Sequence, residues 1–281
     1  MGAYSLGVYE GALPGNLDWR EKLMAAGEIG FDFLEINIDG TPSGMKRLDM
    51  SPEQKSDLQQ CIKDTGVPLK AMHLDVFRRY PLGSRNDGIC AKGLQLLEKG
   101  VKLASELGIP VIRLSGYDVY YEIPTDETAI RFEKSMKQAA LIAAKYGVML
   151  GLEILEKEPM DTVGKVSRLI EKIRSAYLGV YLNSGNITVS AGMYNLNVWK
   201  DIQEGKGHIL ASHLKDSIPG PYQDIPFGAG SVDFNSFVKQ AWKEGVRSFV
   251  MEMKCGRNEE WKSALSRGYL EIAGYLDKVN S

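Results

Sequence analysis

Eight short apolar runs alternate with eight amphipathic segments along the 281 residues, and this restricts the chain to folds built from repeated βα units. The predicted strands are Leu6–Tyr9, Phe33–Ile38, Leu69–Leu74, Val111–Ser115, Val148–Glu153, Gly179–Leu182, Ile209–Leu214 and Phe249–Met253. Between and after them, helices are predicted over Asn16–Ile29, Pro52–Thr65, Asn86–Leu107, Asp126–Tyr146, Asp161–Ser175, Leu196–Glu204, Phe234–Glu244 and Glu259–Val279. Gly30, Gly66, Gly108, Gly147 and Gly245 each follow a helix and precede a strand, where a left-handed cap costs glycine least. Ser51-Pro52 and Thr125-Asp126 read as helix starts. No linker, charge block or low-complexity stretch divides the chain, so a single domain over residues 1–281 is expected. Eight uninterrupted repeats predict an α/β fold, a single (β/α)8 TIM barrel; a doubly wound open sheet is the alternative, but no GxGxxG follows the first strand.

Composition narrows the partners. A formal net charge of −2 sets up no overall field toward nucleic acid or an anionic membrane, so any anion must be met by a local cluster. The N-terminus has no basic segment followed by an apolar one, and no run approaches the ~20 apolar residues of a membrane span. A cytoplasmic protein is expected. Cys61, Cys90 and Cys255 are odd in number and widely spaced, which argues against a disulfide framework.

In a barrel of this kind the active site lies at the C-terminal ends of the strands. Glu153, Asn183, His213 and Glu252 stand at the ends of four successive apolar runs, 30, 30 and 39 residues apart, so the fold brings them together on one rim. Read alone, each is as readily a salt-bridged or hydrogen-bonded rim residue. Read together, two carboxylates, an imidazole and an amide form a candidate site for a divalent ion such as Zn²⁺, Mn²⁺, Co²⁺ or Mg²⁺. The amide is the weakest of these ligands and predicts looser binding. Glu153 and Glu252 are the candidate catalytic acid/base pair: one removes a proton α to a carbonyl and the other returns it, giving epimerisation from opposite faces or aldose–ketose isomerisation from one.

Candidate substrate-binding groups flank this set. Arg78-Arg79 precede Pro81-Leu82-Gly83-Ser84 after the third strand, pairing two guanidiniums with a Gly-Ser turn. Lys215 follows His213 by two residues and so shares its side of the strand. Gly228, in the glycine-rich loop after the seventh strand, is a candidate phosphate contact, as is Ser84. His73 ends the third strand and is a candidate substrate contact, whereas His208 begins its strand and lies at the opposite end.

These residues sit in ordered blocks over nearly the whole chain: Leu6-Gly7-Val8-Tyr9-Glu10, Gly30-Phe31-Asp32-Phe33, Arg78-Arg79, Gly116-Tyr117-Asp118-Val119-Tyr120-Tyr121, Glu153-Ile154, His213-Leu214-Lys215-Asp216 and Pro226-Phe227-Gly228. In this the chain resembles the sugar-phosphate isomerase/epimerase barrels, most closely the L-ribulose/L-xylulose 5-phosphate 3-epimerases. The resemblance implies a metal-dependent 3-epimerase of a ketopentose 5-phosphate, with Glu153 and Glu252 as both ligands and acid/base pair, His213 a further ligand, and a homodimer. Two positions depart from the family pattern: Asn183 stands where the family has an Asp ligand, and Phe77 where it has a His before the arginine pair. They leave two alternatives, an isomerase or epimerase of another sugar and a metal-poor sugar-phosphate-binding paralogue.

Overall fold

The computed structural model describes residues 4–155, 158–218, 225–254 and 260–280. Its eight strands are β1 (Ser5–Tyr9), β2 (Phe33–Asp39), β3 (Leu69–Asp75), β4 (Val111–Ser115), β5 (Met149–Glu153), β6 (Leu178–Asn183), β7 (Ile209–Leu214) and β8 (Ser248–Met251). All neighbours are parallel, and β1 pairs with β8 through Leu6 opposite Phe249 and Val8 opposite Met251, which closes the barrel. The open-sheet alternative is thereby excluded. Around it lie α1 (Trp19–Ile29), α2 (Pro42–Lys46), α3 (Pro52–Thr65), α4 (Asp87–Leu107), α5 (Asp126–Tyr146), α6 (Val163–Ile173), α7 (Ser184–Tyr194), α8 (Val198–Gln203), α9 (Phe234–Lys243) and α10 (Trp261–Asn280). Among the described residues no helix is long and apolar enough to cross a membrane.

Local chemistry sets these boundaries. Asp18, Ser51 and Thr125 each close a capping box at a helix start, and Gly30, Gly66, Gly108, Gly147 and Gly245 all adopt the positive φ expected of them. Two helices have no counterpart in the sequence-based reading, α2 and α7. α2 is too short to show a period, and α7 carries small and apolar residues around its circumference, so no single apolar stripe marks it. The predicted start at Glu259, like Cys255, lies outside the described residues.

Strand alternation sorts side chains between two environments. Leu34, Ile36 and Ile38 of β2, with Ile112, Leu114, Leu150 and Leu152 of β4 and β5, join the main apolar core that also takes in the helices. Phe33, Ala71 and Val250 form a separate small cluster against Tyr9 in the lumen. Gly7 faces the same way, because a Cβ there would lie 2.4 Å from the Phe33 ring. Two residues beyond each of these apolar lumen positions toward the C-terminal mouth stands a polar one: Glu35 after Phe33, His73 after Ala71, Glu252 after Val250. The lumen is apolar below and ionisable above.

Glu10, just past β1, ties the rim together. Its buried carboxylate accepts from Lys22 Nζ (2.7 Å), Arg47 Nη1 (3.0 Å) and the Asn37 backbone N–H (2.8 Å), joining β1, α1, β2 and the turn after α2. Burial alone would raise its pKa, but Arg47 and Lys22 hold it below the ordinary carboxylate value. A depressed pKa contributes stability that is present above the unfolded value and is lost as pH falls through the folded one. Glu10→Gln is expected to cost roughly 3 kcal/mol at neutral pH, with the difference from the parent shrinking as denaturation is repeated at progressively more acidic pH. A difference that stays constant down to acid would show that the Glu10 charge is not what stabilises the rim.

Candidate active site

The four strand-end residues converge at the mouth of the barrel. Glu153 ends β5, Asn183 ends β6, His213 lies in β7, and Glu252 follows β8, its N–H held by the Leu214 carbonyl at 2.9 Å. The ligand atoms of Glu153, His213 and Glu252 lie within 4.8 Å of one another, a grouping that a metal ion can occupy.

Asn183 joins this group through its amide nitrogen. Nδ2 donates to Glu153 Oε1 and to Glu252 Oε2, both at 2.9 Å, while Oδ1 accepts from the Asn186 N–H at 3.1 Å and caps α7. The amide orientation follows from its partners, since two carboxylates require the NH₂ and a backbone N–H requires the oxygen. As placed, Asn183 crosslinks the two glutamates instead of offering an oxygen to their centre.

Beneath lies a layer absent from the sequence-based site. Glu35, fully buried in β2, accepts from His213 Nε2 (2.9 Å), Tyr181 Oη (2.9 Å) and Arg113 Nε (3.1 Å). Arg113, at the centre of β4, also donates through Nη1 to Glu153 Oε2. Register explains the fit: Arg113 sits opposite Gly151 of β5, and a Cβ at Gly151 would lie 2.8 Å from the Tyr181 ring. The available signal was a charged residue in mid-strand, flanked by apolar neighbours that must face the helices: Glu35 between Leu34 and Ile36, Arg113 between Ile112 and Leu114.

Electrostatics follows from these contacts. Both ring nitrogens of His213 face carboxylates, Glu252 Oε2 at 2.8 Å and Glu35 Oε1 at 2.9 Å, so both donate and the ring is an imidazolium. Burial and the Arg113 charge press its pKa down, but Glu35 and Glu252 outweigh them and lift it to about 9. In return, although burial pushes the Glu252 pKa up, His213 and then Lys215 hold it well below the ordinary value. His73 is the opposite case: burial, with Arg113 and His213 nearby, drives its pKa well below 6.5 and keeps it neutral. Ser115 Oγ donates to Asp75 Oδ1 (3.1 Å), so His73 Nε2–H donates to Ser115 (3.3 Å) and Nδ1 faces Tyr9 Oη (3.4 Å).

A cleft of about 300 Å³ opens above this cluster, and Arg78, Lys215 and Lys254 are among its lining residues, with Tyr117 and Tyr120. The Arg78 guanidinium lies 5.2 Å from the Tyr120 ring centre and 5.7 Å from that of Tyr117, and pairs with Asp75 at 3.5 Å. The aromatic segment after β4 thus positions a cation. Arg79, Ser84 and Gly228 are not among the lining residues. Arg79 bonds the Gly40 carbonyl at 3.3 Å, and the Ser84 hydroxyl, fully buried, donates to Glu122. The Gly228 N–H donates to Asp216 Oδ2 (2.9 Å), as does Gly230 (2.8 Å), so the chain's own carboxylate takes the N–H groups of the loop after β7. Phe77, buried in the main core, does not reach the cleft.

Comparison with known proteins agrees with this architecture. The chain is 39% identical over 277 residues to the L-ribulose-5-phosphate 3-epimerase UlaE of Salmonella typhimurium strain LT2, covering 98% of this chain and 94% of that protein. It is 34% identical over 281 residues to the protein of that name from Salmonella paratyphi C, covering 95% and 98%. Among solved structures, an L-ribulose 3-epimerase superposes with a TM-score of 0.80 at 16% identity (99% and 96% covered). The D-psicose 3-epimerase of Clostridium cellulolyticum H10 gives 0.79 at 17% (99% of each). At such identities the two structures speak to the fold alone. Residues 23–271 match the xylose isomerase-like TIM barrel family, and the chain belongs to that family.

Proposed function

We propose that this protein is a 3-epimerase of a ketopentose 5-phosphate, L-ribulose 5-phosphate being the first candidate. The observation that carries the reading is the convergence of Glu153 and Glu252, from strands on different sides of the lumen, onto one cluster beneath a cleft with a cationic edge. Near-full-length similarity to proteins named for that reaction supports the substrate class.

The donor set fits a divalent ion held by Glu153, Glu252 and His213, the last through Nδ1 once it gives up the proton it shares with Glu252 and keeps Nε2–H on Glu35, with Asn183 supporting the glutamates by hydrogen bonds. Direct ligation through the Asn183 oxygen requires the amide to turn and surrender its cap on α7. When bound, such an ion supplies Lewis-acid polarisation of the ketose carbonyl. The chain's residues do the rest. One glutamate carboxylate accepts the C3 proton, the C3–H electron pair becomes the C2–C3 double bond, and the carbonyl π pair moves onto the C2 oxygen. The second glutamate delivers a proton to the opposite face of C3, the pairs return, and the epimer forms with no net redox change. Arg78 and Lys215, joined by Lys254, are the groups assigned to the phosphate, and neutral His73 to a sugar hydroxyl. Arg79, Ser84 and Gly228, which the sequence suggested for the phosphate, are engaged elsewhere.

Purified protein with Mn²⁺ and L-ribulose 5-phosphate in deuterated solvent is expected to exchange the C3 hydrogen, followed by NMR. Glu153→Gln and Glu252→Gln should each lower that rate by about 10²–10⁴-fold. Absence of exchange over a panel of ketopentose phosphates, with metal content at stoichiometry, would sink the reading.

Asn183→Asp tests the metal assignment. Replacing the amide with a third carboxylate removes the crosslink, so metal-free protein should lose about 1–3 kcal/mol of stability, whereas Mn²⁺ affinity by calorimetry should rise about tenfold or more. Unchanged affinity would mean that this position does not face the ion.

A further inference from the structure

Among the described residues four carboxylates line the cleft: Asp75, Glu153, Asp216 and Glu252. Three are already engaged. Glu153 and Glu252 are the proposed acid/base pair, and both oxygens of Asp216 accept from N–H groups of Ser217 and of the loop after β7. Asp75, at the end of β3, uses one oxygen only. Its Oδ1 accepts from Ser115 Oγ at 3.1 Å and faces Arg78 Nε at 3.5 Å, whereas Oδ2 takes no hydrogen bond from any described residue. The side chain keeps 18% of its surface exposed.

Neighbours define its position on both sides. Ser115, which holds Oδ1, is the residue of β4 that stands opposite Glu153 of β5 in register, and on its other side Asp75 meets Arg78, the arginine assigned to the phosphate. His73 Nε2–H in turn donates to Ser115 (3.3 Å), so the Ser115 proton is committed to Asp75 and the carboxylate cannot rotate without breaking that bond. Burial raises the Asp75 pKa, and Arg78 and Ser115 offset this only in part. A carboxylate removed from water in this way gains from each further donor, and the donor that a sugar supplies is an O–H group.

We propose that Asp75 is a specificity-determining residue whose Oδ2 accepts a hydrogen bond from the C4 hydroxyl of the ketopentose phosphate. This rests on the epimerase reading and extends it to the configuration of the substrate. With C3 between Glu153 and Glu252 and the C5 phosphate at Arg78, the one hydroxyl-bearing carbon between the two anchored points is C4. Asp75 occupies the corresponding stretch of the cleft wall, between Glu153 and Arg78. A fixed acceptor there favours a sugar whose C4 hydroxyl points toward β3 and disfavours the C4 epimer, which leaves a partly buried carboxylate oxygen without a donor. No bond to C4 forms or breaks. The contact sets which pentulose is accepted, and the glutamates carry out the proton transfer.

The test combines one substitution with one change of substrate, read as exchange of the C3 hydrogen by Mn²⁺-loaded protein. With L-ribulose 5-phosphate, Asp75→Ala is expected to lower kcat/KM by about 10–100-fold, the loss of a hydrogen bond to a charged acceptor. With the 4-deoxy analogue, which lacks that hydroxyl, the same substitution should change kcat/KM by less than about threefold. A loss no smaller on the analogue than on the sugar would mean that Asp75 acts only by holding Arg78 or Ser115. No loss on either would mean that it does not meet the substrate, and each of these results overturns the proposal. If the variant does not fold, or the analogue exchanges too slowly to measure, the decision comes from a crystal structure of the unaltered protein with a pentitol 5-phosphate of the same C4 configuration, which has no carbonyl and does not react. Its C4 oxygen within hydrogen-bond distance of Asp75 Oδ2 supports the proposal, and a pentitol bound with only water at Oδ2 rejects it. Failure of the parent protein to exchange any ketopentose phosphate removes the epimerase reading and this inference with it. Exchange by the parent with an indifferent Asp75 removes the inference alone.

Discussion

The upper barrel depends on the buried ionic array formed by Glu35, Arg113, His213, Glu153 and Glu252. Three carboxylates cannot share so small a lumen without counter-charge, and two are supplied from opposite walls: Arg113 on β4 bridges Glu35 and Glu153, and His213 on β7 bridges Glu35 and Glu252. Desolvating such groups is expensive, and good geometry with nearly every lone pair satisfied is what makes it tolerable. Because each bridge spans strands that are not neighbours, the array fixes the lumen across its diameter, something the backbone ladder cannot do. It also fixes Glu153 and Glu252, the two glutamates of the proposed acid/base pair.

Asn183 is the least expected member and the most economical. One amide caps α7 with its oxygen and links both glutamates with its nitrogen, so a single side chain ties the start of a helix to Glu153 and Glu252. An aspartate in the same place would cap the helix equally well but would need a cation to face two further carboxylates. The amide joins the two glutamates through the protein's own N–H groups.

The loop after β7 shows a related internal substitution. Its glycines suggest an anion cradle, and an anion is there, but it is the Asp216 carboxylate, bonded to the N–H groups of Ser217, Gly228, Gly230 and Val232. Gly230 is required by this closeness, since a Cβ would lie 2.1 Å from Asp216 Oδ1. The cationic edge of the cleft comes instead from Arg78, braced on Tyr117 and Tyr120, with Lys215 and Lys254.

The barrel was legible in the sequence because helix and strand periods, capping residues and positive-φ glycines are local signals, and eight repeats of them admit few folds. The strand-end set Glu153, Asn183, His213 and Glu252 was legible for the same reason: position along a strand fixes position on the rim. What a side chain meets across the lumen is not local. Glu35 and Arg113 lie 78 residues apart, and their pairing depends on strand register and on the space left by Gly151. Which end of the Asn183 amide faces the glutamates, and whether a glycine loop holds a substrate or its own aspartate, are decided by hydrogen-bond partners that only closure of the barrel brings together.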